Sequence, residues 1–98
     1  MIQDETPYFN WLQKTLNDFF GKRVGIKVFL FGRSIQSKTY GDIDIGLIGD
    51  ISEQEACSLK EIFSESNFPY VVDIVNFNRV DENFKRNVFN NKIIWIKE

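Results

Sequence analysis

Two aspartates separated by a single residue, Asp42 and Asp44, are the side chains whose type and spacing most directly suggest chemistry in this sequence. On a β-strand, residues i and i+2 share a face and lie roughly 6.6 Å apart, at about 3.3 Å of rise per residue. Neighbouring carboxylates repel each other, and a divalent cation relieves that repulsion. Mg²⁺ prefers oxygen ligands and is commonly held by one or two carboxylates together with substrate phosphates, so the pair predicts a magnesium site. Mn²⁺ accepts the same ligands and is the alternative.

A third acid, Asp73, interrupts the otherwise apolar run at residues 70–75. If this run is a strand beside the one carrying the aspartate pair, three carboxylates converge and can bridge two metal ions about 3.5–4 Å apart, as in displacement at phosphorus. Asp73 would then also accept the proton of an attacking hydroxyl. The simpler interpretations are that the pair consists of solvated acids at a strand edge or turn, and that Asp73 forms a structural ion pair with Arg79 or Arg86.

The tripeptide Gly32-Arg33-Ser34 follows an apolar run and precedes the aspartate pair. A guanidinium such as that of Arg33 binds phosphate oxygens through two parallel hydrogen bonds, and backbone N–H groups at a following helical turn bind anions. Ser34 supplies a hydroxyl for the same purpose. Gly32 by itself is most simply a turn glycine, so the phosphate-binding interpretation depends on the combination.

The elements that must position these residues can be predicted from hydrophobic periodicity and turn signals. A first helix begins near a Thr6 cap and Pro7 and ends at Gly21. A second begins with the Ser52–Glu55 capping box and ends near Asn67, and its apolar stripe consists of Ala56, Leu59, Ile62 and Phe63. The remaining elements are strands at residues 24–31, 43–48, 70–75 and 93–96 and a short helix at residues 81–91. The order α-β-β-α-β-α-β predicts an α+β fold, a small mixed β-sheet flanked by helices.

The composition limits the classes of function that remain. Ninety-eight residues predict one domain spanning 1–98, and a hydrophobic fraction of 43% is enough for a packed core. The absence of histidine and the single cysteine exclude an internal disulfide, the usual zinc sites and imidazole-based catalysis. A net charge of −2 argues against nucleic acid as the partner. No apolar run approaches the length of a membrane span, so a cytoplasmic protein is expected.

The segments FLFGRS at 29–34, GDIDIGL at 41–47 and VDIV at 72–75 resemble the polymerase-β-type nucleotidyltransferase superfamily, specifically its minimal nucleotidyltransferase (MNT) branch. The resemblance covers nearly the whole chain and implies a nucleotidyltransferase-like fold. It implies that Gly32 belongs to the loop that holds the nucleoside triphosphate, with Arg33 and Ser34 beside it. It also implies that Asp42 and Asp44 are the metal pair and that Asp73 is the third metal ligand and base.

The same resemblance implies a function: Mg²⁺-dependent transfer of AMP from ATP, or of another nucleotide, to a hydroxyl of a partner protein. In the MNT branch the partner is commonly a helical HEPN toxin, and the acceptor is a tyrosine. This sequence departs from the family pattern because Arg33 stands between Gly32 and Ser34 and the loop to Asp42 is shorter. The alternative is therefore a catalytically degenerate antitoxin or regulatory module that acts by binding its partner.

Four aromatic residues have no obvious core position in the pattern: Trp11, Phe68, Phe77 and Phe89. Aromatic residues are enriched at protein interfaces, so they are candidates for a docking surface, although burial in the core is the commoner fate of phenylalanine. Cys57 on the second helix is expected to be a buried or half-buried hydrophobic residue without a chemical role.

Overall fold

A computed structural model of the protein describes residues 8–32 and 42–98. The described elements follow the order predicted from the sequence: α1 (Phe9–Phe20), β1 (Lys27–Phe31), β2 (Ile43–Ile48), α2 (Glu53–Glu65), β3 (Val72–Asn76), α3 (Glu82–Phe89) and β4 (Ile94–Lys97). Within the described residues, no helix combines the length and the apolar character needed to cross a membrane.

The four strands form one mixed sheet in the order β3-β2-β1-β4. Strand β1 pairs antiparallel with both β2 and β4, whereas β2 and β3 run parallel. A parallel neighbour requires a crossover connection, and α2 supplies it between β2 and β3. The predicted α+β class, with a mixed sheet flanked by helices, is confirmed.

Each face of the sheet carries its own hydrophobic cluster. The cluster on the first face packs the sheet against α1 and α2, and its members include Leu12, Leu16, Phe20, Val28, Leu30, Ile43, Ile45, Leu47, Ala56, Leu59 and Phe63. The cluster on the second face is aromatic and packs against α3 through Phe29, Phe31, Phe77 and Val88. Side chains alternate between the faces of a strand. Because Ile43, Ile45 and Leu47 point into the first cluster, Asp44 and Gly46 must lie on the second face.

Three of the four strands begin later than the sequence pattern predicts, whereas β2 matches its predicted range. Strand β1 starts at Lys27 rather than Val24, because Val24 is 90% exposed and Gly25 has a φ of +79°, which breaks the extended backbone. Strands β3 and β4 begin at Val72 and Ile94, one or two residues after their predicted starts. The predicted cap and first turn at Thr6 and Pro7 lie outside the described residues.

Two predictions about side chains of α2 are corrected. Cys57 is exposed, and so is Ile62, which was predicted to belong to the apolar stripe of α2. At about 100° of rotation per residue, neither residue lies on the stripe formed by Ala56, Leu59 and Phe63. Of the four aromatic candidates for a docking surface, two are simply core, Phe68 and Phe77.

The capping box predicted at the start of α2 is present. The Ser52 hydroxyl accepts a hydrogen bond from the Glu55 backbone N–H at 3.0 Å, and the Ser52 backbone N–H donates to the Glu55 carboxylate at 3.0 Å. Arg23 also donates to that carboxylate, and this hydrogen bond is the largest cause of the lowered pKa of Glu55. The start of α2 is therefore fixed to the segment between α1 and β1.

We expect Ser52→Ala to lower the free energy of unfolding by about 1 kcal/mol, because it removes the side-chain acceptor of the cap. Urea denaturation monitored by circular dichroism measures the effect. Ser58→Ala, in the exposed middle of α2, is the matched control and should be neutral or slightly stabilising. Equal effects of the two substitutions would show that the cap contributes nothing.

Candidate active site

The candidate site lies where the end of β1 meets the starts of β2 and β3. In the antiparallel pair Phe31 lies opposite Asp44, and in the parallel pair Asp44 lies opposite Asp73. Residues opposite each other on neighbouring strands point to the same face, so the Asp44 and Asp73 side chains share the second face of the sheet. Asp42 immediately precedes β2 and is exposed. The strand order therefore places Gly32, the aspartate pair and Asp73 along one end of the sheet.

The electrostatics of Asp44 show that the other two carboxylates act on it. The pKa of Asp44 is raised from 3.8 to about 6, mainly by partial burial and in addition by the negative charges of Asp73 and then Asp42. A carboxylate in this environment is stabilised by a nearby cation. Perturbed acids of this kind cluster at functional sites, which supports a chemical role for this end of the sheet.

Gly32 lies directly against Asp44. It has a φ of +93°, and a Cβ atom built on it would stand 2.2 Å from the Asp44 Oδ2 atom. No side chain fits at that distance unless the carboxylate moves. Gly32 is therefore required both for its backbone conformation and for the space that the Asp44 carboxylate occupies. Its predicted partners in phosphate binding, Arg33 and Ser34, lie outside the described residues, and their role stays a prediction.

We expect Gly32→Ala to displace the Asp44 carboxylate and to weaken divalent-cation binding by at least about tenfold, besides destabilising the fold by about 1–3 kcal/mol of backbone strain. The measurement is the shift in melting temperature on adding Mn²⁺. Gly25→Ala is the matched control, since its φ is +79° but its Cβ would meet nothing within 4 Å. The control should lose stability and keep its response to Mn²⁺; if both variants keep it, Gly32 does not shape the site.

Asp73 has a different ion-pair partner from those considered in the sequence. Its Oδ1 atom lies 3.8 Å from the Nζ atom of Lys60 on α2. Arg79, one of the two expected partners, instead pairs with Glu53 at 3.2 Å. The ion-pair partner of Asp73 is therefore Lys60 and not Arg79, and the pairing leaves Asp73 beside Asp44.

The donor set fits a hard divalent cation. All three acids supply oxygen ligands, and Asp44 and Asp73 lie side by side in the strand register. Within residues 8–32 and 42–98, no three His, Cys, Asp or Glu side chains form a ready-made group of metal ligands. A magnesium ion held by one or two carboxylates and completed by water and phosphate oxygens needs no such group. The convergence of all three aspartates on metal stays a prediction.

Sequence reasoning missed Lys60 entirely. It stands beside Leu59 on α2 and belongs to neither the apolar stripe nor the cap, so no local pattern distinguishes it from the other exposed lysines. Its proximity to Asp73 depends on how α2 packs against β3, which only the tertiary structure determines.

The mixed four-stranded sheet with its flanking helices is a fold that recurs in a solved structure. The structure is similar to that of the MNT antitoxin in a solved complex with tri-AMPylated Shewanella oneidensis HEPN toxin. The two align with a TM-score of 0.63 and 20% identity, over 89% of this chain and 66% of that chain. The similarity confirms the predicted fold. No protein-family profile and no curated protein sequence matches the chain.

Proposed function

We propose that this protein is an MNT-type antitoxin that transfers AMP from ATP to a hydroxyl of a partner protein in a reaction that depends on Mg²⁺. The observation that carries the proposal is the pairing of Asp44 with Asp73 on adjacent parallel strands. The pair lies at the end of the sheet where Gly32 packs directly against the Asp44 carboxylate. The partner is proposed to be a HEPN toxin, and the acceptor a tyrosine. Support for this comes from the fold shared with the antitoxin of the solved toxin complex.

Asp42, Asp44 and Asp73 would hold the divalent cation. When bound, the cation neutralises phosphate charge and orients the triphosphate for displacement. Gly32 leaves the end of β1 open for close approach of the nucleotide, and Arg33 and Ser34 are proposed to contact its phosphates.

Asp73 is proposed as the general base. It accepts the proton of the acceptor hydroxyl while the acceptor oxygen bonds to the α-phosphorus of ATP. The bond from that phosphorus to the β-phosphate bridging oxygen breaks, and pyrophosphate leaves. The product is the partner protein with AMP attached through a phosphodiester.

The test is a label-transfer assay with the protein encoded by the neighbouring reading frame as the candidate acceptor. The reaction contains Mg²⁺ and ATP labelled at the α-phosphate, and a parallel reaction contains ATP labelled at the γ-phosphate. We expect label on the partner only from the α-position, with pyrophosphate released in equal amount. The site variant is Asp44→Asn, which should lose label transfer, and its matched control is Asp18→Asn, which removes an exposed carboxylate paired with Lys14 on α1.

A non-catalytic antitoxin is the second candidate. It is favoured by two exposed aromatic side chains at the start of α1, Tyr8 and Trp11, which are 52% and 36% exposed. Their rings meet edge-on, with centroids 6.1 Å apart. Exposed aromatic side chains of this kind are enriched at protein interfaces. Inhibition of the partner without label transfer would support this candidate. If the partner is neither labelled nor inhibited, both candidates are contradicted.

A further inference from the structure

Lys60 is a cation placed next to the proposed base. It lies on α2, and its Nζ atom is 3.8 Å from the Asp73 Oδ1 atom. Neither side chain is deeply buried, with exposed fractions of 57% for Lys60 and 43% for Asp73. Water and dissolved ions therefore reach both groups, and the lysine is held near the carboxylate without being locked to it.

The two residues come from opposite layers of the molecule. Helix α2 packs on the first face of the sheet through Leu59 and Phe63. Asp73 points to the second face, because its strand neighbours Val72 and Ile74 pack into the first cluster. Contact is possible because β3 is the edge strand of the sheet, so the long lysine side chain can pass around it. The ammonium group thus reaches the same face as the aspartate group from outside the sheet.

We infer that the Lys60 ammonium competes with a divalent metal ion for the Asp73 carboxylate. The metal ion must displace this ammonium in order to bind, and Lys60 thereby lowers the metal affinity of the site. This inference rests on the proposed function, since it takes the aspartate group to be the metal site. Lys60 neutralises Asp73 while the site is empty, which reduces repulsion between Asp73 and Asp44. Lys60 opposes the binding of a divalent cation to the same carboxylates in two ways. Its ammonium must first leave Asp73, and its positive charge then repels the bound cation.

The size of the effect follows from the exposure of the pair. Exposed ion pairs contribute little to stability, so displacing the ammonium from Asp73 opposes metal binding only modestly. Repulsion between the lysine and a doubly charged ion adds to this and is screened by salt. We therefore expect removal of the Lys60 charge to tighten divalent-cation binding by about three- to tenfold at low ionic strength. The gain should shrink toward unity at about 1 M KCl.

The test is titration calorimetry with Mn²⁺ alone and with Mg²⁺ alone, using the full chain. Lys60→Met removes the charge and keeps the length of the side chain. Lys60→Arg keeps the charge, and Lys14→Met removes an exposed charge from α1 that pairs with Asp18. Tighter binding in Lys60→Met only, with the other two variants close to the wild type, supports the inference. Equal or weaker binding in Lys60→Met overturns it.

A fourth variant, Asp44→Asn, separates this inference from the proposed function. Loss of binding in Asp44→Asn together with unchanged affinity in Lys60→Met means that the metal site is correct and the role of Lys60 is wrong. Unchanged binding in Asp44→Asn means that the cation binds elsewhere, which overturns the metal site of the proposed function and the inference with it.

Discussion

Asp44→Asn should reduce AMP transfer at least about 100-fold, because it removes a proposed metal ligand, and should make the metal-free protein more stable at pH 7.5. The second effect arises because partial burial and the charges of Asp73 and Asp42 raise the pKa of Asp44 from 3.8 to about 6. The folded state therefore disfavours the ionised form, and asparagine removes that penalty. Activity and stability are expected to change in opposite directions.

The pH dependence of this penalty follows from proton linkage. Between pH 3.8 and about 6 the folded state binds more protons at Asp44 than the unfolded state does, so stability falls as the pH rises through this range. The penalty is complete above pH 6 and absent below the unfolded pKa of 3.8. A shift of this size corresponds to about 3 kcal/mol, and solvent screening of a half-exposed group reduces it to roughly 1–2 kcal/mol.

Urea unfolding of the wild type and of Asp44→Asn at several pH values measures the effect. We expect the variant to be more stable by roughly 1–2 kcal/mol at pH 7.5 and to lose this advantage as the pH approaches 4. Added Mg²⁺ should stabilise the wild type and not the variant. Asp18→Asn, the control with an exposed carboxylate, should show neither behaviour. A variant that is less stable than the wild type at pH 7.5 would refute the electrostatic description of the site.

Gly46→Ala should lower the free energy of unfolding by about 3 kcal/mol, the upper part of the range for overpacking a core. A Cβ at Gly46 would stand 2.3, 2.5 and 2.8 Å from three atoms of the Phe29 ring. That ring is fully buried and lies between Phe77, Phe89 and Trp95, with centroid distances of 4.9, 5.3 and 5.2 Å. It has no free space into which to move, so the strain must spread into β1 and β2.

Two further variants test this explanation by urea denaturation. Gly21→Ala, where the φ is +60° and a Cβ meets nothing within 4 Å, should cost only backbone strain, about 1–3 kcal/mol, which Phe29→Leu cannot relieve. Phe29→Leu should recover part of the loss in the Gly46→Ala background, because the smaller side chain makes room for the added methyl group. If Phe29→Leu recovers no stability in the Gly46→Ala background, the contact with Phe29 is not the cause.

The link between these two predictions is the second face of β2. Asp44 and Gly46 are successive residues on that face, so the aspartate group lies next to the aromatic cluster around Phe29. Glycine at position 46 lets the end of the Phe29 ring approach the strand closely. The cluster thus supports the strand that carries Asp44, which makes the site sensitive to packing changes two residues away.

The sequence by itself determined the order of helices and strands, the capping box at Ser52 and the pairing of acids with a preceding glycine. These features are local: hydrophobic periodicity, turn residues and caps are properties of a few consecutive residues, and each gives the same signal whatever surrounds it. The strand starts were predicted less well because Val24 looks like a strand residue and only the turn at Gly25 exposes it.

Only the tertiary structure decided which distant residues meet. The contacts of Gly32 with Asp44 and of Lys60 with Asp73, and the closeness of Gly46 to Phe29, depend on strand register and on the packing of α2 against the edge strand. A one-residue change in register would reverse every side chain of β2 and remove Asp44 from the face it shares with Asp73. Register and helix packing are set by the whole core at once, and no short stretch of sequence contains that information.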